Sequence, residues 1–97
     1  MFIDITDVQK ALTPVFDLYD ISRAVLFGSY AKGTAGPKSD LDLMVCSNLR
    51  GLKFVGFIED LHEAAGIPVD VFDISHIEAG SRIGREIDDT GVVIYEK

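Results

Sequence analysis

The chain has 97 residues, 47% of them apolar and 26% charged, as expected of one folded globular domain and excluding a disordered or low-complexity segment. Sixteen Asp and Glu against nine Lys and Arg give a net charge of −7, which repels phosphate backbones and argues against direct nucleic-acid binding. No apolar run approaches the roughly 20 residues of a membrane helix; the start MFIDITDVQK lacks the blocks of a signal peptide, and the lone Cys46 leaves no internal disulfide, so a cytoplasmic protein is expected.

Helices and strands alternate along the chain. Thr6 and Gln9 have the spacing of a capping box, with Asp7 suited to a helix start. Val8, Ala11, Leu12, Val15, Phe16 and Tyr19 then recur at helical spacing. Pro14 removes a backbone donor, so a kink or a restart after Thr13 is expected. Ala24 to Ser29 reads as a first strand running into glycine, and Asp40 to Cys46 as a second. A helix over 49–65 follows, with Gly66 as its C-cap and Pro68 just beyond. Its apolar residues Leu52, Phe54, Val55, Phe57, Ile58 and Leu61 spread over more than one face. Either the fold buries both faces or a partner covers one. Val69 to Ile74 is a third strand. Ser75 and Glu78 offer another capping box for a helix through Ile77, Ile83 and Ile87, ended by Gly91, and VVIY forms a last short strand. The expected fold class is α/β, a small mixed sheet with helices packed on the Leu41–Leu43–Val45 face.

The chemistry gathers in GSYAKGTAGPKSDLDLMV, residues 28–45. Side chains alternate along a strand, so Asp40 and Asp42 share the face opposite Leu41, Leu43 and Val45. Asp70 takes the corresponding face of the third strand. If the two strands are neighbours, three carboxylates gather on one side of a sheet, where they repel one another unless a divalent cation resolves the charge. Oxygen ligands favour Mg²⁺ or Mn²⁺. At the other end, Gly28 permits a tight turn, and Ser29 to Gly33 would open a short helix whose amides attract phosphate. Lys32 and Lys38 add positive charge. One end suits a polyphosphate and the other the metal that bridges it, which is the equipment of metal-assisted nucleotidyl transfer. The segment GSYAKGT has the outline of a P-loop, but Thr34 follows Gly33 directly and the lysine is missing.

Other polar residues read as structural. Asp73 has the opposite parity to Asp70 and, beside Ser75, suits a helix start. His62 and His76 have no ligand-spaced partner. Met44 and Cys46 lie on the aspartate face and suit packing. Tyr30 suits either a helix surface or a ring stacked on a base.

Gly28-Ser29, ten residues, then Asp40-Leu41-Asp42 resembles the signature of the DNA polymerase beta-like nucleotidyltransferase superfamily. Asp70 stands where that family places its third carboxylate. With LFGSYAKG, SDLDLMV and PVDVFD, nearly the whole chain looks like the minimal nucleotidyltransferases (MNT), commonly antitoxins paired with HEPN-domain toxins. The family often has arginine where Lys32 stands, so charge is kept while bidentate geometry is lost. The resemblance implies Asp40, Asp42 and Asp70 as catalytic and Mg²⁺-binding residues, and Gly28, Ser29, Lys32 and Ser39 as nucleotide-binding residues. It implies ATP as the nucleotide and a HEPN toxin as partner, modified on a hydroxyl, most simply of tyrosine. The alternative is an antitoxin that neutralises by binding alone.

Overall fold

The computed structural model describes residues 4–97; residues 1–3, which belong to the segment compared with a signal peptide, lie outside it. The first helix, α1 (Ile5–Leu18), is capped two residues before the Thr6 expected to cap it. Asp4 is the N-cap, accepting from the Asp7 amide at 3.1 Å. Gln9 is drawn elsewhere: its Nε2 donates to the Ile94 carbonyl at 2.7 Å, far along the chain. α1 also runs through Pro14 without ending. The Thr13 hydroxyl donates to the Gln9 carbonyl at 2.6 Å beside the proline. The buried stripe Val8, Leu12, Val15 and Phe16 holds both halves of the helix on one core, which outweighs a single lost backbone bond.

The four strands are β1 (Arg23–Phe27), β2 (Leu41–Cys46), β3 (Val69–Asp73) and β4 (Val92–Glu96), in spatial order β3-β2-β1-β4. β2 pairs antiparallel with β1 and parallel with β3, while β4 pairs antiparallel with β1. The sheet is therefore mixed, as expected. The parallel step from β2 to β3 is bridged by α3 (Leu52–Ala65), which ends on Gly66 in the left-handed region (φ 72°). A register shift in the β1–β4 pairing falls between Ala24 and Val25, and Ile94 lies on the β4 side of that irregularity.

α1 and α3 cover one face. Leu41, Leu43, Val45 and Val69 pack there with Leu12, Phe16, Phe57 and Leu61. The opposite face carries a smaller core of Val25, Phe27 and Met44, against which Cys46, Phe72, Ile83 and Ile87 pack. Met44 and Cys46 are thus packing residues, as their position suggested. The last two isoleucines belong to α4 (Arg82–Thr90), so one helix shares the face that carries the aspartates. α4 starts later than expected. Ser75 is held by Asp73, which caps a 3₁₀ turn over Ile74–His76. Gly80 then turns the chain at φ 79°, and Ser81 caps α4 by accepting from the Gly84 amide at 3.1 Å.

Candidate active site

The site lies where β1 ends and β2 and β3 begin. The Leu41 amide donates to the Pro68 carbonyl at 3.1 Å and locks the start of the parallel pair. That register sets Asp42 beside Asp70, with Leu41 beside Val69 and Leu43 beside Val71. Strand alternation turns the hydrophobic partners into the main core and both aspartates to the other face. Asp42 is also the partner of Phe27, the last residue of β1. The chain leaves β1 through Gly28, which therefore sits against the Asp42 carboxylate.

Gly28 is needed there for two reasons. Its backbone stands at φ 78°, ψ −151°, a conformation open to glycine. A Cβ built on it would lie 2.4 Å from Asp42 Oδ2. The short helix α2 (Ser29–Lys32) follows, with the Lys32 amide donating to the Gly28 carbonyl at 3.0 Å and Gly33 closing it at φ 76°. Ser29 is half-buried at the start of α2; Lys32 and Lys38 are exposed. Ser39 shapes the connecting loop: its Oγ accepts from the Gly36 amide at 2.9 Å, and its own amide donates to the Gly36 carbonyl at 3.1 Å. Tyr30 is half-buried and packs against the main core.

The three aspartates differ. Asp42 is half-buried, Asp70 exposed on the edge strand β3, and Asp40 exposed just before β2 rather than inside it. Burial pushes the Asp42 carboxyl up to about 6, helped by the negative charges of Asp70, Glu86 and Asp40 in that order. Among the described residues, no group of three or more His, Cys, Asp or Glu is drawn close enough to hold a metal ion. The expected convergence of three carboxylates is therefore met only in part: Asp42 and Asp70 are in register, while Asp40 stands apart at the entrance of β2. Like charges favour such spacing. The donor chemistry still fits a hard divalent cation. The oxygens are carboxylate, and Asp42 is a carboxyl whose ionised form is penalised where it stands, a penalty that a positive charge relieves.

Sequence patterns missed two residues, both on α4. Glu86 is one of the charges that bears on Asp42. Thr90 accepts the Gly28 amide on its hydroxyl at 3.0 Å and donates to the Glu86 carbonyl at 2.8 Å. Neither stands near the other site residues in sequence, so only the packing of Ile83 and Ile87 brings them in. The remaining polar residues have the structural parts expected. Asp73 accepts from Ser47 Oγ at 2.7 Å and from the Ser75 amide and hydroxyl at 3.0 and 2.8 Å. Burial alone would raise its pKa, but these bonds, with the charge of His76, together hold it below the usual carboxylate value. His62 Nε2 pairs with the Val69 carbonyl at 2.9 Å, and His76 is exposed.

A mixed sheet that sets two aspartates in register beside a glycine-serine turn is the framework of a nucleotidyltransferase domain. The family described as Polymerase beta, Nucleotidyltransferase, matches residues 10–97, and the chain belongs to it. The fold is also that of chains in toxin–antitoxin complexes. One, a toxin–antitoxin complex with AMP-PNP, superposes with a TM-score of 0.77 at 19% identity, over 92% of this chain and 73% of that one. Another, a tri-AMPylated Shewanella oneidensis HEPN toxin in complex with MNT antitoxin, gives 0.71 at 15% identity, over 96% and 73%. The MntA–HepT complex gives 0.69 at 14%, over 95% and 73%. At such identities the likeness carries the fold alone. No curated protein matches the sequence. Among the described residues, no helix is long and apolar enough to cross a membrane.

Proposed function

We propose that this protein transfers AMP from ATP to a hydroxyl of a HEPN-domain toxin, with tyrosine the expected acceptor, and so acts as the antitoxin. The observation that carries this reading is the registered pair Asp42–Asp70 beside Gly28 and Ser29. Family membership supports nucleotidyl transfer, and the AMPylated toxin in one structural neighbour supports the acceptor class.

In this reading Ser29 donates its hydroxyl to a phosphate oxygen, and Lys32 adds a positive charge to the approach. Ser39 acts by holding the loop that delivers Asp40. Asp40, Asp42 and Asp70 would hold Mg²⁺, which when bound neutralises phosphate charge and favours attack at the α-phosphorus. Asp70, exposed on its edge strand, takes the proton of the acceptor hydroxyl. The hydroxyl oxygen forms a bond to the α-phosphorus. The bond from that phosphorus to the bridging oxygen breaks, and pyrophosphate leaves with the electron pair.

Co-expression with the toxin tests the proposal, read by growth and by intact mass. The wild-type chain should add one or more AMP masses to the toxin, which then stays inactive after this protein is removed. Asp42→Asn should lose both the added mass and the protection. Full protection by Asp42→Asn with no added mass would overturn transfer in favour of neutralisation by binding alone. The exposed Leu52 and Val55 of α3, 89% and 50% accessible, offer that second reading its surface.

A further inference from the structure

Thr90 is tied to the site by two bonds whose directions are fixed by chemistry. A threonine hydroxyl has one proton to give. Here it donates to the Glu86 carbonyl at 2.8 Å, an ordinary back-bond within α4. A lone pair is left for the part-buried Gly28 amide, which donates to it at 3.0 Å. Gly28 joins three parts of the site. Its amide is held by Thr90, its carbonyl accepts from the Lys32 amide to start α2, and its Cα lies against the Asp42 carboxylate. Rotating that peptide would move Ser29 and open or close the space that Asp42 Oδ2 occupies. Glycine has no side chain to resist such rotation, and its φ of 78° lies in a region that it enters and leaves freely.

From this geometry we infer that Thr90 is a positioning residue for nucleotide binding: the end of α4 pins Gly28 beside the Asp42 carboxylate and thereby sets where Ser29, the next residue, stands. The inference rests on the nucleotide-binding reading of Gly28 and Ser29. It also gives α4 a part in the site beyond covering the smaller core. Ile83 and Ile87 seat the helix on Val25, Phe27 and Met44, and Thr90 converts that seating into the orientation of one peptide.

The test compares Thr90→Val, which keeps the shape and removes both bonds, with Thr90→Ser, which keeps the hydroxyl. All measurements are made at a temperature where melting curves show both variants fully folded. Two-dimensional NMR of the metal-free chain reads the pin directly. In Thr90→Val the Gly28 amide should exchange with solvent about tenfold faster, with shifts at Ser29 and Asp42, whereas Thr90→Ser should resemble wild type. Calorimetry with Mg²⁺–ATP reads the consequence. The dissociation constant should rise about tenfold in Thr90→Val and return to near wild type in Thr90→Ser. Unchanged Gly28 exchange in Thr90→Val, or a nucleotide affinity equal to wild type in that folded variant, would overturn the inference. Failure of wild type itself to bind Mg²⁺–ATP would overturn the nucleotide reading on which it rests; the NMR comparison would still decide whether Thr90 pins Gly28.

Discussion

Asp42 holds the least comfortable charge in the site. Its carboxyl is raised from 3.8 to about 6, first by burial and then by Asp70, Glu86 and Asp40. In the unfolded chain that burden disappears, so between about pH 4 and pH 6 the folded state holds more of this proton than the unfolded state does. Stability contributed by Asp42 should therefore fall as pH rises through that window and stay flat above it, in the metal-free protein. Solvent screens a half-buried group, so the loss should be about 1 kcal/mol rather than the full value of the shift. Asp42→Asn removes the ionisation and should flatten that part of the pH profile while raising the melting temperature near neutral pH. Thermal unfolding of both proteins from pH 4 to pH 8 checks this. A wild-type profile that parallels Asp42→Asn throughout would show that the charge carries no such cost. The same carboxylate is the one whose loss should abolish transfer, so stability and activity should move in opposite directions.

Among the elements, α1 shows how tertiary packing overrides a local rule. Pro14 cannot donate to the Lys10 carbonyl, yet the helix continues because Val8, Leu12, Val15 and Phe16 are all buried on one stripe. Pro14 itself is exposed, and an alanine there would restore the missing bond without touching the core. Pro14→Ala should therefore stabilise the protein by about 2 kcal/mol, the helix gain being partly offset by a freer unfolded chain. Chemical denaturation checks it, and a destabilised variant would mean that the proline is relieving strain. Strand parity in the sequence was enough to set Asp42 and Asp70 on the face away from Leu41, Leu43 and Val69, because a period of two allows no other choice. It could not make β2 and β3 neighbours, which depends on α3 carrying the chain across. The two capping boxes misled for a related reason. Gln9 and Ser75 find better partners in Ile94 and Asp73, and Asp4 and Ser81 take over the caps. Thr90 and Glu86 were out of reach, since they join the site only through the packing of α4.

The sheet divides the molecule into two cores with different work. The α1–α3 side is the larger, and Phe57 sits at its centre, fully buried, with ring centroids 6.2 Å from Phe16 and 5.3 Å from Tyr19. The α4 side is smaller, and its helix has no fully buried residue. Ile87 is half-buried there, and its carbonyl accepts from the Gly91 amide at 2.8 Å where the chain turns into β4. Gly91 fits only as glycine: a Cβ would stand 2.4 Å from that carbonyl oxygen and 3.0 Å from Val25. Stability should therefore rest on one face and the site's geometry on the other. Phe57→Ala should cost about 3–5 kcal/mol, since it leaves a large void among rings that cannot all relax into it. Ile87→Ala removes a half-buried side chain and should cost only about 1–2 kcal/mol. Yet it loosens the seat of α4, three residues before the hydroxyl that holds Gly28. At a temperature where both variants remain folded, Phe57→Ala should bind Mg²⁺–ATP nearly as well as wild type and Ile87→Ala distinctly less well. Denaturant midpoints and calorimetric titration on the same preparations measure the two quantities. If affinity instead followed stability, with Phe57→Ala the weaker binder, the two faces would not be separable and the site would depend on the fold as a whole.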